Sequence, residues 1–192
     1  MSPPAEFWLR GAVEGIPPLL MPVAHALLQS RKDLREAAEP LSTGELWERR
    51  GGAASVGFHL RHISGSVDRL FTYARGQPVR DEQLIAMRRE GNPCSPPATA
   101  RELLAFVDMV LDDAVSSLKE ILENQLLVPR AVGRAQLPST VLGLLFHAAE
   151  HAQRHTGQVI ATSKIMRGLA GEVRVRSGVV MAGGTGFHSP RR

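Results

Sequence analysis

Helical periodicity of the apolar residues constrains this chain more than any other feature of its sequence. Apolar residues recur at spacings of three, four and seven, which is the pattern of amphipathic α-helices. Alternation typical of a strand is limited to residues 173–176. The sequence therefore predicts an all-α protein, a four-helix bundle. The four helical stretches cover residues 17–38, 53–75, 99–124 and 139–167.

The connection between the second and third predicted helices is long and spans residues 76–98. An extended chain covers ~3.3 Å per residue, whereas a helix rises only ~1.5 Å. This segment can therefore cross the length of the bundle and make helices two and three parallel. A short helix is predicted within it at 81–90, and a further helical turn at 42–47.

The bundle is predicted to form one domain with an extension at each end. Residues 1–14 are interpreted as an N-terminal extension and residues 15–169 as the bundle. Residues 170–192 form a Gly-rich C-terminal tail, which we expect to be a short hairpin or a loosely docked extension.

Composition excludes several classes of protein. The chain has 192 residues and a single cysteine, Cys94, so it forms no internal disulfide and no cysteine-based cluster. The net charge of +4 is spread along the chain without a basic run, which argues against nucleic-acid binding. Neither a signal peptide nor a membrane-spanning segment is evident, so we expect a cytoplasmic protein without a membrane partner.

Histidines carry the main functional signal. His147, His151 and His155 follow one another at four-residue spacing in the fourth predicted helix, and His59 and His62 lie in the second. Residues four apart share one face of a helix, so two imidazoles can point at a single transition metal. A third ligand must then come from another helix. The spacing alone leaves open a polar seam of histidines that faces water.

Two motifs resemble the DinB/YfiT-like family over about residues 15–168. In the last helix of that family a His-x-x-x-His pair is followed by Gly-Gln, as His151, His155 and Gln158 are arranged here. Its second helix resembles residues 57–70, where a histidine precedes an aliphatic and then a small residue. The resemblance implies that His62, His151 and His155 ligate a divalent transition metal, with zinc or nickel expected. It favours His62 over His59.

The remaining histidines and the acidic residues have open roles. His59 is expected to support a ligand or to pack within the helix, and His147 to form a hydrogen bond near the site or a capping or core contact. Cys94 is either an exposed thiol near the site or an inert loop residue. Each ligand should donate its second ring N–H to a partner. The candidate partners are Glu150, Gln158, Asp68, Asp108, Asp112 and Asp113.

Three neutral imidazoles would leave a cation with open positions, which is typical of catalytic sites. The resemblance implies a metal-dependent enzyme, either a transferase or isomerase that uses a small thiol as co-substrate or a hydrolase-like enzyme, and a homodimer. The alternative is a non-catalytic, stress-associated bundle in which the metal site is structural. The sequence assigns no catalytic residue beyond the ligands.

Overall fold

The computed structural model describes residues 5–180, and their side chains from 5 to 168. Within that range the chain forms six α-helices and one β-hairpin, with short 3₁₀ turns at Phe7–Leu9, Pro18–Leu20 and Glu123–Gln125. The helices are α1 (Met21–Ala38), α2 (Thr43–Trp47), α3 (Val56–Ala74), α4 (Asp81–Arg88), α5 (Ala100–Leu118) and α6 (Val141–Val180). The strands β1 (Pro129–Val132) and β2 (Leu137–Thr140) pair antiparallel, with Pro129 opposite Thr140.

Local signals in the sequence set the helix boundaries. The hydroxyl of Ser55 accepts a hydrogen bond from the Phe58 N–H at the start of α3. Thr99 and Glu102 form a capping box that begins α5, as the sequence suggests. Gly76 follows α3 with a φ of 73°, a left-handed conformation that glycine adopts without strain.

The long helices α1, α3, α5 and α6 form a four-helix bundle. Helices α3 and α6 are antiparallel. His62 faces His151, whereas Phe71, later in α3, shares a cavity with Leu145, which comes earlier in α6. Helices α1 and α5 are also antiparallel, because Arg31 pairs with Asp112 and Arg35 with Asp108.

The long connection makes the second and third long helices parallel, as predicted. Arg61 near the start of α3 shares a cavity with Leu103 near the start of α5, and Phe71 shares one with Ser117 near its end. We call residues 75–99 the crossover; α4 lies within it.

The core is aliphatic and fills the space between the four long helices. Leucines dominate its fully buried side chains, in keeping with a composition that is only 5% aromatic. These include Leu20, Leu27, Leu34, Leu60, Leu104, Leu111, Leu118 and Leu145. Among the described residues, no helix combines the length and apolar character that crossing a membrane requires.

The structure departs from the sequence-based expectation at three places. Helix α5 ends at Leu118 rather than at 124, and the hairpin that follows it was not predicted. Helix α6 passes through Gly168 and continues to Val180, so 170–180 is helical rather than a hairpin or extension, and 173–176 is not a strand. The rest of the predicted tail, 181–192, lies outside the described residues, as do residues 1–4 of the predicted N-terminal extension.

Candidate metal centre

Three histidines from two antiparallel helices meet at one point. His62 on α3 and His151 and His155 on α6 each offer a ring nitrogen, and these nitrogens all lie within 4.8 Å of one another. The Nε2 atoms of His62 and His151 are 2.9 Å apart. The ring centroids of His155 and His62 are separated by 4.5 Å, as are those of His155 and His151. The three residues that the sequence selects are therefore together in space.

Helix geometry explains the convergence. His151 and His155 are four residues apart and lie one above the other on α6. His59 and His62 are three apart and face them from α3. The ring of Phe58 stacks on His62 at a centroid distance of 5.3 Å and an interplanar angle of 12°, which restricts the plane of that imidazole.

Glu90, at the end of α4, contacts His62 from the side opposite the cluster. Its Oε2 accepts a hydrogen bond of 2.7 Å from His62 Nδ1. A proton held on Nδ1 leaves the lone pair of the neutral ring on Nε2, the atom that faces His151. Carboxylates commonly orient metal-binding histidines in this way. Sequence reasoning missed Glu90, because it lies 28 residues from His62 and no local motif marks it.

His59 lies next to His155. Their Nδ1 atoms are 3.0 Å apart, so one ring donates a hydrogen bond to the other. His59 is only 5% exposed. Its ring also makes an edge-to-face contact with the ring of Phe58. Of the two roles expected for His59, support of a ligand is the one that this contact favours.

Burial lowers the pKa of three of the clustered histidines. Desolvation lowers the pKa of His151 to about 4, and the neighbouring imidazoles His155, His62 and His147 lower it further in the same direction. Desolvation, with help from His155 and His62, also lowers the pKa of His59 to about 4. The pKa of His155 is lowered by desolvation and by His62, and a hydrogen bond with Gln158 partly opposes this. Neutral imidazoles offer lone pairs to a cation.

The donor set fits a transition-metal cation. Two imidazole nitrogens bound tetrahedrally to zinc at about 2.05 Å would be ~3.3 Å apart, and the 2.9 Å between His62 and His151 is a few tenths of an ångström shorter. The Nδ1 of His151 is buried without a hydrogen-bond partner among the described residues. This is not the nitrogen that faces His62, so the partner expected for the second ring nitrogen of His151 is not found among the described residues. The side chain of His62 is 22% exposed, so the cluster is reachable from outside.

Most of the other candidate residues have contacts away from the cluster. His147 is half exposed, with its ring 5.4 Å from that of His151, and its Nδ1 lies 3.4 Å from Glu150. Glu150 also pairs with Arg154. Cys94 is exposed and accepts a hydrogen bond of 3.2 Å from Arg61. The acidic candidates Asp68, Asp108 and Asp112 bind Gln83, Arg35 and Arg31, respectively.

Two solved structures are similar in fold. YfiT from Bacillus subtilis, described as a probable metal-dependent hydrolase with an unusual four-helix bundle topology, aligns with a TM-score of 0.59 and 15% identity. The alignment covers 81% of this chain and 93% of that one. A conserved protein from Enterococcus faecalis aligns with a TM-score of 0.57 and 18% identity, over 78% of this chain and 97% of that one.

A family model gives the sequence-level relationship. No curated protein matches the chain. The model of the DinB superfamily, however, matches residues 26–159, which is well over half of the chain and includes all three clustered histidines. The chain belongs to the DinB superfamily.

Proposed function

We propose that this protein is a metal-dependent enzyme that binds a divalent transition cation through His62, His151 and His155. The observation that carries the proposal is the convergence of one nitrogen from each ring within 4.8 Å. The lowered pKa values of His151 and His155 support it, because protonated imidazoles would repel one another and the cation. Zinc and nickel are the proposed ions, since both accept imidazole ligands.

Partial exposure of the ligands supports a catalytic role. Three protein ligands leave a position open to a small molecule, in contrast to closed structural sites. The bound cation supplies Lewis acidity, which activates a water or a thiol at neutral pH. The chain's own residues hold the ligands: Glu90 fixes the ring of His62, and His59 shares a hydrogen bond with His155.

Two reaction types fit such a site. One is transfer or isomerisation with a low-molecular-weight thiol as co-substrate, and the other is hydrolysis of a small molecule. The description of YfiT as a probable metal-dependent hydrolase favours hydrolysis. The family resemblance of the two histidine motifs favours the thiol-dependent reaction. We further propose a cytoplasmic homodimer that acts on small molecules rather than on nucleic acid.

A structural metal site is the second candidate function. His62 and His151 belong to α3 and α6, so a cation between them would join two long helices of the bundle. In that case the protein would be a non-catalytic bundle, and loss of the metal would lower its stability without removing a reaction.

Metal analysis of purified variants tests the proposed ligands. We expect the natural chain to bind about one equivalent of zinc or nickel, and the variants His62→Ala, His151→Ala and His155→Ala each to lose it. His25→Ala is the matched control, because His25 lies on α1 and bonds the carbonyl of Gly11. Retention of the metal by all three variants, measured by mass spectrometry, would refute the assignment.

Activity assays then separate the candidate functions. The metal-loaded protein is incubated with a small thiol and an electrophile in one series, and with activated esters and amides in another. Metal-dependent turnover in either series identifies the reaction type. Absence of turnover in both, together with a large fall in melting temperature for His151→Ala, favours the structural role.

A further inference from the structure

Gly65 in α3 lies directly beneath the carboxylate of Glu90. A Cβ placed on Gly65 would lie 2.9 Å from Glu90 Oε1 and 2.8 Å from Arg69 Nη1. Both separations are shorter than real Cβ contacts allow. Glycine is costly in the interior of a helix, so its presence in the middle of α3 calls for a local reason. The space that it leaves is filled by an ion pair.

That ion pair is buried and holds Glu90 at two points. Arg69 Nη1 donates to Glu90 Oε1 at 3.1 Å, while Glu90 Oε2 accepts from His62 Nδ1 at 2.7 Å. The side chains of Arg69 and Glu90 are 12% and 7% exposed. One oxygen of the carboxylate is thus anchored on α3, and the other reaches the histidine.

We propose that Gly65 and Arg69 form a seat for Glu90 that orients His62 for the metal, which makes both of them positioning residues of the site. This inference rests on the proposed metal-binding function. A methyl group at position 65 would push Oε1 and the guanidinium apart. Glu90 would then shift, and Nδ1 of His62 would lose the acceptor that fixes its tautomer and ring orientation.

The Glu90 carboxylate and the Arg69 guanidinium have room to move when a methyl group displaces them. A loss of metal affinity can therefore be measured without loss of the fold. Gly65, Arg69 and Glu90 line a cavity together with Leu103 and Phe106. The atoms that a methyl would meet are the far ends of two flexible side chains, and they can move into that cavity. Gly65→Ala should therefore leave the fold intact, because the better helix propensity of alanine offsets part of the cost of disturbing the buried ion pair.

Metal affinity and stability are measured on the metal-free full chain and on four variants: Gly65→Ala, Glu90→Gln, the double variant and the control Gly168→Ala. Zinc dissociation constants come from competition with a chromophoric chelator. We expect Gly65→Ala to weaken zinc binding by about 10- to 100-fold, the range for loss of an outer partner of a metal ligand. In the Glu90→Gln background the same change should add little. Gly168→Ala, where no atom of the described residues lies within 4 Å of the added methyl, should bind zinc normally.

Two results would overturn the inference. One is natural zinc affinity in Gly65→Ala, and the other is equal weakening by Gly65→Ala with and without Glu90. The tautomer of His62 in the metal-free protein, read from ¹⁵N–¹H correlations, tests the seat independently. We expect a proton on Nδ1 in the natural chain and a mixed population in Gly65→Ala. If the natural chain binds neither zinc nor nickel, the proposed function fails, and an unchanged His62 tautomer in Gly65→Ala is then the result that refutes the seat.

Discussion

His59 is the most buried ring of the histidine cluster, although it is not one of the proposed ligands. Its Nδ1 lies 3.0 Å from that of His155. If His155 uses Nε2 for the cation, its Nδ1–H is the donor and His59 is the acceptor. His62 and His155 are then held by different partners, a carboxylate and a neutral imidazole, and only the carboxylate adds negative charge beside the site.

Replacing His59 should change how stability depends on pH. Its pKa is lowered to about 4 in the folded protein, from about 6.5 in the unfolded chain. Between these values the unfolded chain binds a proton that the folded protein excludes, so stability falls as the pH is lowered from 6.5 towards 4. His59→Phe removes this contribution. We expect a shallower slope, by up to about 1.4 kcal/mol per pH unit, in urea unfolding of the metal-free protein.

Slopes that are equal in His59→Phe and in the natural chain between pH 4 and 6.5 would contradict this expectation. Zinc affinity provides a second test of the role of His59. Loss of the acceptor for His155 should weaken zinc binding by about 10-fold or more, whereas a ring that only packs in the core would leave the affinity unchanged.

The short helix α2 packs against α3 through an aromatic ring. A Cβ on Gly57 would lie 2.8–2.9 Å from atoms of the Trp47 indole, which is rigid. Trp47 also donates its Nε1–H to the carbonyl of Ala98 at 2.7 Å, and Arg61 lies over the same ring. Through Trp47 and Arg61, helices α2 and α3 hold the end of the crossover that carries Glu90.

Gly57→Ala should therefore destabilise the protein. Alanine is the better helix former, but overpacking against a rigid ring costs about 1–3 kcal/mol. Gly168→Ala provides the comparison, since it also places alanine in a helix, and no atom of the described residues lies within 4 Å of the added methyl group. We expect a lower midpoint of urea unfolding for Gly57→Ala and an unchanged or higher one for Gly168→Ala. Equal midpoints would show that the Trp47 contact tolerates the methyl group.

Whether a helix or strand could be predicted depends on the signals that its own sequence contains. The four long helices were predictable because each has a sustained apolar face, and α5 also has the capping box of Thr99 and Glu102. The hairpin was not, because its strands have four residues each, contain Pro129 and Pro138, and show no alternation of apolar and polar residue types in the sequence. Apolar residues such as Leu122 continue the helical spacing beyond α5, yet Leu122 is 61% exposed.

The residues of the site also differ in whether the sequence could predict them. The spacing of His147, His151 and His155 predicted a pair of ligands on one helix. The resemblance to a known family selected His151 and His155 from this series and added His62. Glu90 depends on the path of the crossover, which is fixed by tertiary contacts such as the bond from Arg61 to the carbonyl of Arg89. Sequence periodicity carries no information about such a path.

At the scale of the whole molecule, a cation would join α3 and α6 and stabilise the bundle. Binding only to the folded state raises stability by about 2.7 kcal/mol when the free ion is at 100 times its dissociation constant. We expect zinc to raise the melting temperature of the natural chain, and to have no such effect on His151→Ala. An equal shift in both proteins, measured by calorimetry, would point to zinc binding elsewhere.

The pH dependence of zinc binding should reflect the burial of the cluster. Protons compete with the metal only near the pKa of each ligand, and the pKa of His151 is lowered to about 4, with that of His155 lowered as well. Competition at His151 therefore sets in near pH 4, and competition at His155 sets in below the ordinary histidine value of about 6.5. Chelator titrations at pH 7, 6 and 5 measure this. An affinity that falls by more than one proton per bound zinc between pH 7 and 6 would contradict the lowered pKa values of His151 and His155.

The proposed ligands are far apart along the chain, with His62 on the second long helix and His151 and His155 on the last. A ribosome synthesises α1 to α5 before the final two imidazoles exist, so a nascent chain that ends before residue 151 has only one of the three donors. Cation capture must then follow the completion of nearly the entire bundle. Truncated products that end before residue 151 would therefore not form the proposed site.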